Sequence, residues 1–200
     1  MDLTTPVYML NAGMVVNTFG INISSRQIVQ WNADFLGMGG SQSTTSIDSS
    51  PDAAITGQFM AGNADVGQIN EAGSRLTSPS WARDLSIQIS NNLRALEAVD
   101  STSPVGINPG ECTVNGTINF YFGDNTLLAK LYAGTASSIN ARIAKNSQAT
   151  IWTIPRELLR SGTPTVSGKN TDVMLNSGFQ AALDSTTNSQ VTLDRIEWYN

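Results

Sequence analysis

Three carboxylates near the C-terminus, Asp172, Asp184 and Asp194, are the residues whose type could support hydrolysis. A glycosidase needs two carboxyl groups converging on one bond, one as acid and the other as base or nucleophile. In "TDVMLNSGFQAALDSTTNSQVTLDR" nothing in the spacing pairs them, and they read as solvated surface charges. Cys112, the single cysteine, falls in phase with Val114, Ile118 and Phe120, which predicts a buried, inert thiol. The chain has no histidine, so alone it builds no Ser-His-Asp triad, Cys-His pair or histidine-containing zinc site. "GMGGS" and "SGTPTVSG" lack the lysine and the strand-to-helix setting of a phosphate loop; they read as turns. The expectation is a chain without catalytic residues, metal ligands or cofactor.

What remains is a scaffold. Hydrophobic residues make up 40% of the 200 and charged residues 14%, with many Ser, Thr, Asn and Gly, a balance typical of loop-rich β proteins. A formal charge of −5, with Lys130, Arg142, Arg156, Arg160 and Arg195 dispersed, gives no basic stripe for nucleic acid. No apolar run approaches the roughly 20 residues that span a membrane. "MDLTTPVYML" carries no secretory pattern, and no membrane insertion is expected.

Alternation with period two marks the strands. Residues 13–38 read as two strands around a turn. In the second, Val29, Trp31, Ala33 and Phe35 share a dry face, and Gln30, Asn32 and Asp34 a wet one. Residues 39–82 are Gly-, Ser- and Thr-rich and read as a long loop or linker, with a short strand expected in "ADVGQINEAG". Leu85, Ile87 and Ile89 alternate with Asp84, Ser86 and Gln88. The clearest strand carries Val114, Gly116, Ile118, Phe120 and Phe122 on one face, and Thr113, Asn115, Thr117, Asn119 and Tyr121 on the other. Next comes a short helix over about 124–133, capped by Asp124 or Asn125 and stopped by Gly134. Its stripe of Leu127, Leu128 and Leu131 must pack on a sheet. "SSINARIA", "ATIWTIP", "TDVMLNSGFQAAL" and "VTLDRIEWYN" read as four more strands, the second ended or edged by Pro155, with "SGTPTVSGKN" as a turn-rich loop. The fold class is mainly β: an antiparallel β-sandwich or barrel with one short packed helix.

The order of short motifs over residues 83–200 resembles the tail tube proteins (major tail proteins) of long-tailed bacteriophages. "NNLR" at Asn91–Arg94 ends one strand. The "G-x-x-x-V-x-G-T" strand spans Gly110–Thr117 and finishes in Phe122 and Asp124. The helix brings Leu128, Gly134 and Thr135, and Pro155 precedes Arg156. "G-x-N-x-D-V-M" spans Gly168–Met174, "FQA" Phe179–Ala181, and "DR" is Asp194–Arg195. "GMVVNTFGINISS" and "FLGMGG" extend the likeness towards the start. The resemblance implies a structural virion protein, made in the host cytoplasm and placed in the tail. Copies form rings of three or six that stack into a hollow tube. Double-stranded DNA passes through the lumen without specific binding, and other tail proteins meet the tube ends. Loops such as 39–80 or 99–110 are long enough to reach an adjacent ring.

Relatives of this kind carry a further strand-rich segment before "GMVVNT". Residues 1–38 therefore read as a strand hairpin, which the resemblance makes the end of a first tube domain, with 83–200 as the main tail-tube-like β domain. The candidate lumen-facing residues are Thr113, Asn115, Thr117, Asn119, Asp172 and Asn176. The rival readings are a soluble β-sandwich binding module, carbohydrate-binding or adhesin-like, with a platform at Trp81, Trp152 or Trp198, and a glycosidase-like enzyme.

Overall fold

Antiparallel strands account for most of the chain. The structure, a computed structural model, describes residues 5–54 and 59–197. The strands are β1 (Tyr8–Ala12), β2 (Val15–Ser24), β3 (Gln30–Leu36), β4 (Gly39–Ser43), β5 (Val66–Glu71), β6 (Ser74–Arg75) and β7 (Ala82–Ser90). They continue with β8 (Arg94–Leu96), β9 (Gly106–Asn108) and β10 (Thr113–Tyr121). After α1 (Thr126–Ala133) come β11 (Ser137–Lys145), β12 (Gln148–Val166), β13 (Val173–Ala181) and β14 (Thr192–Ile196).

The chain divides into two interleaved units. The larger comprises Gly20–Asn32, Phe59–Ile89 and Thr113–Asn200. Most of its strands belong to one antiparallel sheet ordered β3-β2-β7-β10-β13-β12-β11-β5-β6, with β14 also on β12. Its dry face is the core: Ile21 and Ile23 from β2, Leu85 and Ile87 from β7, Ile118 and Phe120 from β10, Leu175 and Phe179 from β13, and Trp152 and Ile154 from β12. The sheet bends over this core, for the rings of Trp31 on β3 and Trp152 on β12 lie 5.5 Å apart at 54°, although four strands separate β3 from β12 in the sheet. Among the described strands the sheet does not close into a barrel, and the antiparallel, mainly β architecture is consistent with a sandwich.

Helix α1 ends as its sequence signals, but it begins at Thr126 and Asn125 at its N-cap makes no side-chain capping bond. Gly134 is left-handed at φ 61°, and its N–H and that of Thr135 close the last turn on Leu131 and Lys130, the geometry glycine adopts without a Cβ penalty. Asp124 Oδ1 accepts from Thr126 N at 2.9 Å, and Leu127 is buried.

The smaller unit comprises Met1–Phe19, Ala33–Gln58 and Ser90–Cys112. It contains the two-stranded ribbons β1–β4 and β8–β9. None of its described residues is buried. Polar ties hold it together. Asn91 donates its backbone N–H to Asn17 O at 2.8 Å and its side chain to Val16 O at 3.0 Å. Asn92, left-handed at φ 47°, donates to Glu111 O at 2.7 Å, and Gly110 N–H reaches Asn91 O at 3.0 Å. A side chain at Gly110 would collide with Asn92. The "NNLR" and "G" elements of the motif string thus form one turn lock.

Several expectations change. Cys112 is exposed, not buried, because β10 begins at Thr113 and the alternation ends there. β3 is not half-buried: its residues are exposed up to Leu36, since it has β2 as its only ladder neighbour among the described strands. Pro155 does not end its strand. The ladder with β11 skips between Ile154 and Glu157, and this bulge accommodates the missing N–H. β12 continues to Val166, so most of "SGTPTVSGKN" is strand. Residues 39–82 carry β4, β5 and β6.

Candidate functional site

The wet sides of β2, β7, β10 and β13 form one continuous polar surface in the larger unit. Asn22 and Ser24 come from β2, Asp84 and Ser86 from β7, Asn115, Thr117 and Asn119 from β10, and Asn176 and Gln180 from β13. Alternation requires this, because each of these residues neighbours an inward apolar residue such as Ile23, Leu85, Ile118 or Leu175. Across the β10–β13 ladder Asn119 faces Asn176, Thr117 faces Gly178 and Asn115 faces Gln180.

Hydrogen bonds tie the strands sideways. Ser86 Oγ and Thr117 Oγ1 are 2.8 Å apart, Asn119 Nδ2 donates to Asp84 Oδ2 at 3.4 Å, and Arg160 donates to Gln180 Oε1 at 2.5 Å. A shallow depression of about 510 Å³ lies over Asn22, Ser24, Ser86, Thr117 and Asn119. Charge is sparse: Asp84 has Arg83 Nε at 3.7 Å, and Arg160 stands at the β13 side. Such a surface offers neutral hydrogen-bonding groups and no array of cations to hold phosphates.

Of the sequence-predicted residues, Asn115, Thr117, Asn119 and Asn176 lie together on this surface. Thr113 opens β10 in the same phase. Asp172 is exposed and precedes β13, outside any strand. Sequence reasoning missed the contributions of Asn22, Ser24, Asp84 and Ser86. The alternation of β7 was visible, but not that β7 lies between β2 and β10. Trp152 is buried, Trp81 is exposed, and Trp198 lies outside the described residues.

Among the described residues no reactive constellation accompanies this surface. Asp184 accepts from the backbone N–H groups of Thr186 and Thr187 and from the Thr187 hydroxyl; these bonds hold its carboxyl below the usual carboxylate range. Asp194 is exposed on β14. Among the described residues no three of His, Cys, Asp and Glu lie close enough to share a metal ion, and no helix is long and apolar enough to cross a membrane.

A family model described as phage tail tube protein matches residues 1–181. The chain belongs to the phage tail tube protein family. No curated protein matches it. As a tail tube protein it is a structural component of the virion, located in the tail, and it assembles with itself and with other tail proteins. The sandwich and its polar face are therefore parts of a tube subunit.

Proposed function

We propose that the subunit polymerises into rings of three or six that stack into a hollow tube, with the polar surface of β2, β7, β10 and β13 lining a channel for DNA. The observation that carries this is the near-neutral, hydrogen-bonded face spanning four adjacent strands of a tail tube protein. Thr113, Asn115, Thr117, Asn119 and Asn176 are assigned to the lumen, and Asp172 to its rim. A lining of this kind lets the duplex slide, since it offers no array of cations to displace the counterions of the phosphates.

Open strand edges support the same reading. Among the described strands β3 has one neighbour, and β12 beyond Glu157 pairs only with β13. Pro164 lies in that half-paired stretch, where the ladder has one side only. Exposed edges of this length invite pairing with another chain, and closure through sister copies removes them.

The test is N115K/T117K/N176K in the virion. Tubes of normal appearance with slowed DNA ejection are expected; normal tubes with unimpaired ejection reject the lining assignment. The second reading is a soluble binding module, favoured by exposed Trp81 beside a groove. It requires a chain that stays monomeric in size-exclusion chromatography, where the tube reading requires rings or tubes.

A further inference from the structure

The formal charge of −5 is unevenly shared. The smaller unit holds seven of the 16 carboxylates and only one of the 11 cations, Arg94. It carries −6 and the larger unit +1. The smaller unit also lacks any buried described residue, yet exposes large apolar side chains such as Leu96, Val99 and Val105. Two-stranded ribbons without a core are marginal in water, and apolar side chains exposed on them are candidates for contact with another molecule.

Within this unit one segment combines both properties. Residues 96–100 read Leu-Glu-Ala-Val-Asp. Ser101 N–H closes a turn on Ala98 O at 3.2 Å, and Val99 at its corner is fully exposed. Apolar and acidic side chains thus share one exposed turn.

The larger unit contains a complementary groove of about 250 Å³. Ile69, Leu76 and Trp81 contribute its apolar lining, and Arg75 and Arg83 its charge. Trp81 is 48% exposed. Both arginines are exposed; the ion pair of Arg83 with Asp84 is a loose 3.7 Å contact between solvated groups. The groove runs along β5, whose Val66–Gln68 stretch has β11 on one side and no strand on the other among the described residues. It therefore offers backbone edge, an aromatic wall and two guanidinium groups.

We propose that this groove receives the Leu96–Asp100 turn of a second copy of the chain, Val99 and Leu96 against Trp81 and Leu76, Glu97 and Asp100 against Arg75 and Arg83. The proposal rests on the self-assembly reading above and names one contact through which it occurs. The contact is heterologous, turn on one copy and groove on the next. Each copy therefore offers a free end, and repetition builds a closed ring or a continuing stack.

The experiment compares purified full-length R75E/R83E, E97K/D100K and the four-fold swap with wild type, by sedimentation and negative-stain microscopy. Each reversal is expected to raise the concentration needed for assembly at least about tenfold, and the swap to restore it to within about threefold of wild type, as complementary charges regain register. Tubes from wild type and from both reversals at equal concentration overturn the docking assignment and leave the tube reading standing. So does a swap that fails to restore assembly while circular dichroism shows folded protein. If a reversal does not fold, R75Q/R83Q and E97Q/D100Q replace it, and wild-type assembly by both pairs is equally decisive against the contact. A wild-type chain that stays monomeric at every concentration overturns the tube reading itself, and the docking with it.

Discussion

Lys130 Nζ on α1 stands 2.6 Å from Oε1 and 2.8 Å from Oε2 of Glu71 on β5. Ser137 on β11 donates a short hydrogen bond to the same carboxylate. Glu157 on β12 completes the group. It is wholly buried at the bulge, opposite Ser137 and Ala181 in the two ladders, and neither of its oxygens accepts or donates a hydrogen bond. Lys130, the cation that acts on it, is already engaged by Glu71.

Burial, and then the Glu71 charge, push the Glu157 carboxyl up to about 7, against the opposing pull of Lys130. The folded state therefore keeps this proton when the unfolded chain, near 4.5, has lost it. With the folded value raised, the stability belonging to the neutral form is complete below 4.5 and falls as pH rises to about 7, then levels off. The loss is on the order of 3 kcal/mol. Urea midpoints of dispersed subunits at pH 5 and 7.5 should differ accordingly in wild type. In Glu157→Gln, which is neutral throughout, that difference should shrink; an unchanged difference places the effect elsewhere.

Removing Lys130 tests the same cluster from the other side. In Lys130→Met, Glu71 loses its ion pair and faces Glu157 without an intervening cation. Breaking such a pair from one side costs about 3 kcal/mol or more. The double variant E71Q/K130M removes both charges of the ion pair together and should recover most of the loss. The check is thermal denaturation of all three proteins at pH 7; a double variant as unstable as the single one defeats the argument.

Gly116 on β10 is a packing requirement. Its register partner on β13 is Phe179, and a Cβ built at Gly116 would run into the Phe179 ring and the Ser86 carbonyl oxygen of β7. Both neighbours belong to the sheet, and the carbonyl cannot rotate away as a side chain would. Gly116→Ala should cost about 2–3 kcal/mol by overpacking. Adding Phe179→Leu should recover only the part due to the ring. Gly73→Ala is the wrong control because its φ of 75° disfavours any side chain; Gly67→Ala, with only Arg142 atoms at 3.7 Å or beyond, is the suitable one. Equal melting temperatures for the Gly116 and Gly67 variants would refute the reading.

The legible parts of this molecule are those governed by neighbours in sequence. Period-two polarity located β10, β11 and β13, and a leucine stripe closed by Gly134 located α1, because local geometry alone sets these patterns. Cys112 was misplaced by extending one such pattern a residue past the strand start. β3 has the alternation of a half-buried strand but sits at a sheet edge, and edge position is decided by which strands find each other. The prolines of β12 look like strand breakers until the bulge at Pro155 and the unpaired side at Pro164 are known. Register likewise brings Glu157 beneath the Lys130–Glu71 pair and joins Asp84 and Ser86 to Thr117 and Asn119. Nothing in "PRELLR" or "RDLSIQ" announces either arrangement.

Asp65 offers a last test, in the opposite pH direction. Its Oδ2 accepts from the Ala61 backbone N–H at 2.6 Å and from Lys145 Nζ at 3.1 Å, and Lys145 also donates to Phe59 O at 2.6 Å. The Ala61 bond, followed by Lys145, holds the carboxyl below its ordinary 3.8. With the folded value lowered, its contribution is full above about 3.8 and disappears as pH falls through the folded value. That window lies below the one governed by Glu157, so the two separate. Asp65→Asn keeps the shape, loses the charge and should abolish this acid-side component. Hydrogen exchange of the Ala61 and Gly62 amides should quicken in the variant at pH 6, where the native carboxylate still holds the turn against β11. Unchanged exchange at both amides would show that the turn is held without it.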